Sequence, residues 1–375
     1  MNEATATLTR AGTPSSLSPA QWADTTLFWA ASAGTRIPKT LAFQLTQPAF
    51  WLIAACPHNG MPRKYGFVPL TDLSLDNIVW GHINIRCMNT TAPIKYTTNL
   101  SGFNRHSVPP KFKMPSRACD SHMHIVGPFS SYPLIETRSM QPTEATLDDY
   151  LDVMKRTAIE RAVIVQPSWY AKDCSCTLNA TRALGANARA VVVVDADVDD
   201  ATLEGLHARG ARGVRLQNQM AGGTSVSSLL EIASRIKPFN WHIQLFVDTA
   251  DIVDLATIIR KSPVPVVIDH MAHLRGERGV DSPGLRLLFN LMEEGNTWVK
   301  LSNTRFFPDA ERLGALVAAN PKRVLWGSDW PHVAFEGDAP TLGSLLDALA
   351  ECVPDEATRN MILADNPGLL YFDDQ

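Results

Sequence analysis

From Met114 onward, short β-branched apolar runs alternate with stretches whose apolar residues recur every three or four positions. The runs at Ala118–His122, Ala162–Gln166, Ala190–Asp195, Gly213–Gln217, His242–Val247, Val264–Asp269, Trp298–Leu301 and Val324–Gly327 predict strands. The intervening stretches at Leu147–Thr157, Ala180–Ala186, Ala201–Arg209, Ser227–Ile236, Ile252–Arg260, Leu285–Glu293 and Ala310–Ala319 predict helices. Leu342–Cys352 and Pro354–Asp365 extend the series. Eight strands alternating with helices over roughly 260 residues fit an α/β fold of the (β/α)8 TIM-barrel type in number and size. An open doubly wound sheet has the same alternation. The glycine-rich phosphate turn that would favour it for nucleotide use is missing: Val194 is followed by Asp195-Ala196-Asp197, and no GxGxxG occurs.

Residues 1–112 lack either period. They hold Trp22, Trp29, Trp51 and Trp80 among many Thr, Pro and Asn, and end in the linker-like run Ser107-Val108-Pro109-Pro110-Lys111. The expected organisation is an N-terminal extension over 1–112, to which no role is assigned, and a barrel over 113–375.

Composition narrows the function. The chain has 375 residues, 45% hydrophobic content and a formal net charge of −4, which argues against a nucleic-acid or membrane-surface binder. The most apolar early stretch, Ala49–Cys56, is too short to cross a bilayer. The six cysteines are scattered without a CxxC pair, as in a reducing compartment, so a cytoplasmic protein is expected.

The chemistry gathers at strand ends, where a barrel carries its active site. Asp120-Ser121-His122-Met123-His124 lies at the first strand. Residues two apart on a strand share a side, so His122 and His124 project together. If the barrel closes, Gly327-Ser328-Asp329 returns beside them. Two imidazoles and a carboxylate can hold a metal or activate water without one; either arrangement suits a hydrolase. Asp120 either pairs locally or orients one of the histidines. His270 and His273 follow the sixth strand, with His270 the stronger site candidate and Asp269 beside it read as structural. Arg215 alternates with Val214 and Leu216, so it meets either an anionic ligand or an internal partner. Gln244 ends the fifth strand, and Arg305 and His332 follow the seventh and eighth. Lys300 is either a buried partner for Asp329 or a surface residue. His242 is expected to be structural. Ser168 lacks a nucleophile elbow and suits a substrate hydrogen bond better than covalent catalysis.

Asp120–His124, Val163-Ile-Val-Gln-Pro-Ser168, Gly213-Val-Arg-Leu216, Ile268-Asp-His-Met271 and Val324–His332 occur in one order that resembles the amidohydrolase-related family, over about residues 115–372. Within it they are similar to the lactonase branch that contains the 2-pyrone-4,6-dicarboxylate hydrolases. The resemblance implies a barrel that opens cyclic esters, with a small anionic lactone, carboxylated or sugar-acid, as substrate. Asp329 would be the general base, and His122, His124 and His270 would polarise the carbonyl. Ser168, Arg215, Gln244, His273, Arg305 and His332 would contact substrate. The wider family adds metal ligands at a strand-four lysine or a strand-five histidine, where this chain has Arg215 and Gln244. That leaves His122, His124 and Asp329 for one divalent metal such as Zn, and no obligatory cofactor is expected. Phe246 stands where a substrate-binding tyrosine would be expected. A metal-dependent decarboxylase and a lactone isomerase are the alternatives on the same scaffold, and a non-catalytic, partner-binding barrel is a third. A homo-oligomer is compatible with all of them.

Overall fold

The computed structural model describes the backbones of Leu27–Trp29 and Leu41–Phe43, Asn104, and residues 107–273, 280–302, 310–333 and 339–372. The chain divides into two compact units, Met1–Pro93 and Ile94–Gln375. In the first, strand β1 (Leu27–Trp29) pairs antiparallel with β2 (Leu41–Phe43).

The second unit carries eight parallel strands in sequential order. They are β3 (Cys119–Met123), β4 (Arg161–Val165), β5 (Ala188–Val192), β6 (Ala211–Gln217), β7 (His242–Phe246), β8 (Val266–Ile268), β9 (Thr297–Leu301) and β10 (Val324–Trp326). The helices are α1 (Leu147–Thr157), α2 (Ser175–Leu184), α3 (Asp200–Ala208), α4 (Leu229–Ile236), α5 (Thr249–Arg260), α6 (Pro283–Glu293), α7 (Ala310–Ala319), α8 (Leu342–Cys352) and α9 (Glu356–Asn360). All eight expected strands form, with ends shifted by a few residues. Sequential parallel order, one helical connection after another, is the barrel topology rather than the doubly wound one.

The seam closes just beyond the ends of the first and last strands. His124 N donates to Trp330 O at 2.8 Å and Asp329 N donates to His122 O at 2.8 Å. Gly327 permits this approach: a Cβ there would lie 2.5 Å from His122 Cβ and 2.8 Å from His122 N. Inside the barrel, Cys119, Val163, Val165, Val191, Val267, Trp298 and Leu325 form an apolar core plugged from below by Tyr371 and Phe372. The Arg161 and Arg189 guanidiniums cover the Phe372 ring at 4.6 and 4.7 Å. A larger apolar layer lies between strands and helices.

Local chemistry explains the helix ends. A reciprocal Thr146–Asp149 capping box opens α1, which ends as expected at Thr157, before left-handed Ala158. Helix α2 begins five residues earlier than its apolar period suggests. Its first turns are Ser, Cys and Thr, poor helix formers, but Asp173 accepts from Ser175 N and the buried Thr177 donates to Gln166 at 2.7 Å. The run 107–111, expected to be a linker, lies against α8: Lys111 N donates to Asp347 at 2.7 Å, and Gly343 faces Val108 O without room for a Cβ. After α9 the helix widens into π-type turns at Met361–Asp365 and Gly368–Phe372. No helix among the described residues is long and apolar enough to cross a membrane.

Candidate active site

The polar strand ends converge at one mouth of the barrel. Asp329 Oδ1 lies 3.5 Å from His124 Nε2, 3.8 Å from His122 Nε2 and 3.9 Å from His270 Nε2. These spacings exceed a direct hydrogen bond in two of the three pairs and suit a small bridging molecule. The Asp329 side chain is 19% exposed, whereas the three imidazoles are nearly or fully buried. Asp329, His270 and His332 have φ of 59°, 53° and 62°. Non-glycine residues in this left-handed region cost on the order of 1 kcal/mol or more and cluster at functional sites.

Each imidazole is held through its other nitrogen. His124 Nδ1 lies 2.7 Å from Val165 O, at the end of β4. His122 Nδ1 lies 3.1 Å from Asp269 Oδ1. His270 Nδ1 lies 2.8 Å from Ser302 Oγ, just past β9. The first two partners are acceptors only, so both rings carry hydrogen on Nδ1, and the neutral His122 presents a lone pair at Nε2. His122 Nε2 is buried without a hydrogen-bond partner among the described residues.

Beneath the imidazoles lies a buried charge network. Asp269 Oδ2 accepts from Arg215 Nε at 2.9 Å and from Gln244 Nε2 at 3.0 Å. Lys300 Nζ donates to Gln244 Oε1 at 2.7 Å and lies 3.7 Å from Asp269 Oδ1. Asp269, Gln244 and Lys300 are 0% exposed. Asp269, expected to be structural, is therefore the hub that orients His122. Lys300 pairs with Asp269 rather than Asp329. Gln244, expected at the substrate, has both ends of its amide occupied in this floor. Asp120, a candidate for orienting a histidine, instead clasps the seam. It accepts from His122 N, Ser328 N and the Tyr150 hydroxyl at 3.2, 2.8 and 2.8 Å, and from Ser328 Oγ.

Protonation follows from this arrangement. Burial pushes His122 and His270 down to about 3, against the opposing pull of the nearby carboxylates, so both are neutral at physiological pH. Burial alone would raise the Asp329 carboxyl. The facing His270, the His124 hydrogen bond and His122 outweigh it and hold Asp329 well below the usual range, ionised. Asp269 is also held well below that range, burial being overcome by His122, Arg215 and Lys300. Burial lowers Lys300 to about 8.

The other expected site residues are placed as follows. Arg215 spends Nε on Asp269, with its guanidinium over Phe246 at 5.0 Å. Among the described residues its terminal nitrogens have no hydrogen bond. His273 packs edge-on against Phe246 and His270, at 4.7 and 4.9 Å. His332 is buried, and its backbone N donates to Asp329 O at 2.9 Å. Ser168 opens a short turn whose Trp169 packs 5.8 Å from His124. Arg305 lies outside the described residues. His242, expected to be structural, is buried edge-on to Tyr371 at the opposite end. Lys300 was weighed as a buried partner, though for Asp329; Ser302 was not singled out. A lysine inside the apolar strand Thr297–Leu301 was a visible signal, whereas Ser302 offered none.

The donor set suits one divalent cation. His122, His270 and Asp329 each present a ligand atom within 4.8 Å of the others, and the unpartnered His122 Nε2 faces a carboxylate. Asp269 behind His122 is the carboxylate–histidine arrangement that supports metal ligands.

Comparison with known proteins accords with this geometry. Residues 119–372 match the family model described as Amidohydrolase. A 2-pyrone-4,6-dicarboxylate hydrolase of Comamonas testosteroni is 31% identical over 288 residues, covering 71% of this chain and 93% of the relative. A 4-sulfomuconolactone hydrolase of Hydrogenophaga intermedia is 32% identical over 291 residues, covering 74% and 96%. The apo crystal structure of an Agrobacterium tumefaciens protein superposes with a TM-score of 0.66 at 27% identity, covering 72% of this chain and 98% of that one. With the barrel, the polar strand ends and the matched span in agreement, this chain belongs to the amidohydrolase family.

Proposed function

We propose that the barrel hydrolyses a small anionic lactone, with Asp329 as general base. The observation that carries this reading is the ionised Asp329 carboxylate, partly exposed and ringed at 3.5–3.9 Å by three imidazoles. The curated relatives described above are named as hydrolases of a pyrone dicarboxylate and a sulfonated lactone, both cyclic and anionic.

In this mechanism Asp329 takes a proton from water as the oxygen attacks the lactone carbonyl carbon. Charge develops on the carbonyl oxygen and is met by N–H donors at the mouth. Collapse breaks the ring C–O bond, and the proton on Asp329 passes to the leaving oxygen. The product is a hydroxy acid or its keto tautomer. The terminal nitrogens of Arg215 receive a substrate carboxylate or sulfonate, with Ser168, His273, Arg305 and His332 as further substrate contacts. Gln244 acts beneath the substrate, through Asp269 and Lys300. His122, His270 and Asp329, rather than the expected set with His124, would hold a divalent cation such as zinc, which when bound lowers the pKa of water toward neutrality. The chain's own base and donors make that cation optional in this reading.

The test is a panel of pyrone, sugar-acid and sulfonated lactones, with metal content measured on the same sample. Asp329→Asn is expected to abolish ring opening while leaving the circular dichroism spectrum unchanged. Full turnover by that variant would remove Asp329 from the mechanism, and absence of turnover on every lactone would remove the substrate class. Activity strictly dependent on zinc, with carbon dioxide as product, would establish the decarboxylase. A rearranged lactone as product would establish the isomerase.

A further inference from the structure

We propose that Ser302 is a positioning residue that gives His270 the tautomer opposite to that of His122, with a hydrogen-bond donor at Nε2. This rests on the lactone-hydrolase reading for its catalytic meaning, though not for its geometry.

The three rings face the same carboxylate oxygen with the same atom, yet their Nδ1 partners differ in kind. Val165 O and the Asp269 carboxylate can only accept, so His124 and His122 must carry their hydrogen on Nδ1. Lys300 Nζ also approaches His122 Nδ1, but at 3.4 Å, and it is already committed to Gln244 at 2.7 Å. The shorter contact to the ionised Asp269 decides that ring. His122, neutral because it is buried, then offers a lone pair at Nε2, which cannot stabilise a developing oxyanion.

His270 meets a hydroxyl instead, at 2.8 Å, and Ser302 is 0% exposed. A hydroxyl can donate or accept, so the hydrogen-bond inventory of the site decides its role. If His270 Nδ1 donated, the Ser302 hydroxyl hydrogen would be buried with no acceptor, because Ser302 has no other hydrogen bond among the described residues. The His270 Nε2 lone pair would also face the ionised Asp329 at 3.9 Å. If Ser302 donates, both penalties vanish: Nδ1 accepts, and an N–H points to the carboxylate. Buried polar groups are satisfied wherever geometry permits, so the second arrangement holds.

The consequence is a division of labour. His122 presents an acceptor suited to a water hydrogen or a cation. His270 presents the donor that meets the lactone carbonyl oxygen as it becomes negative.

The full chain labelled with 15N-histidine reads the tautomer directly in a long-range proton–nitrogen NMR spectrum, the His270 signal being assigned by its loss in His270→Gln. Hydrogen on Nε2 is expected for His270, and on Nδ1 for His122. Hydrogen on Nδ1 of His270 would overturn the inference even if the enzyme opens lactones. A protein that opens none would end the functional reading while the spectrum still reads the tautomer. Ser302→Ala should lower kcat by roughly tenfold or more, the scale of losing one oxyanion donor, with KM little changed. Ser302→Thr, which keeps the hydroxyl, should restore kcat to within a few-fold. Undiminished kcat in Ser302→Ala would overturn the catalytic role. Should that variant fail to fold, the wild-type spectrum and Ser302→Thr carry the test.

Discussion

His122 Nδ1 lies 3.1 Å from Asp269 Oδ1, and neither side chain has any exposed surface. The same carboxylate takes Arg215 Nε on its other oxygen. One buried aspartate thus orients a ring facing Asp329 and also holds the Arg215 guanidinium, the proposed anion contact. Asp269→Asn should therefore impair both functions, lowering kcat by about 10–100-fold, as for loss of other outer-shell carboxylates. KM for an anionic lactone should rise more than KM for a neutral one. Steady-state kinetics on a matched charged and neutral pair checks this, and equal changes in KM would separate Arg215 from Asp269.

Lys300 is fully buried, with Gln244 and Asp269 as its partners. Lys300→Met removes a cation while leaving the Asp269 charge in place. Breaking a buried pair from one side typically costs about 3–5 kcal/mol. Arg215 and His122 still serve Asp269, so a loss near the lower end is expected. Urea unfolding measures it, and a variant as stable as wild type would show that Lys300 is not an effective counter-charge.

Gly327 faces His122 across the seam, and the added methyl of Gly327→Ala would clash with His122 Cβ and backbone N. Overpacking of this kind costs about 1–3 kcal/mol. Because the displaced residue is His122, activity should fall more than stability alone explains. Kinetics measured well below the melting temperature checks this. Alanine at this position with wild-type kcat would mean that the seam relaxes without moving the ring.

Acid should destabilise the fold. Burial holds His122, His242 and His270 down to about 3, whereas an unfolded histidine takes up its proton near pH 6.5. Between those values the unfolded chain binds more protons, so stability rises with pH and is lost on acidification. Below about pH 4, Asp269 and Asp329 act in the same direction, since both stay ionised in the fold after unfolded aspartates have protonated. Melting temperature should fall steadily from pH 6.5 toward 4, by an amount corresponding to a few kcal/mol. A flat profile over that range would mean that these rings are already charged in the fold.

Much of the fold was legible because alternation and amphipathic period are local properties of the chain. All eight barrel strands, and helices such as Leu147–Thr157 and Ala310–Ala319, fall where the pattern places them. The boundary of α2 was hidden because its first turns use Cys and Thr, and its start depends on Asp173 and on Gln166 just past β4.

The sequence by itself determined that His122, His124, His270 and Asp329 belong at strand ends, and it favoured a closed cylinder over an open sheet with the same alternation. Convergence of those residues follows from closure. Only the tertiary structure decided what stands behind them. Asp269 reaches His122 across 147 positions and Ser302 reaches His270 across 32, and no local pattern encodes such pairings. Whether Arg215 would face an internal partner or a ligand was open in the chain. In the fold its Nε is held by the internal partner Asp269, and its guanidinium lies over Phe246. Tautomer and charge depend on which donors and acceptors share one small dry volume, and that volume exists only once the barrel is closed.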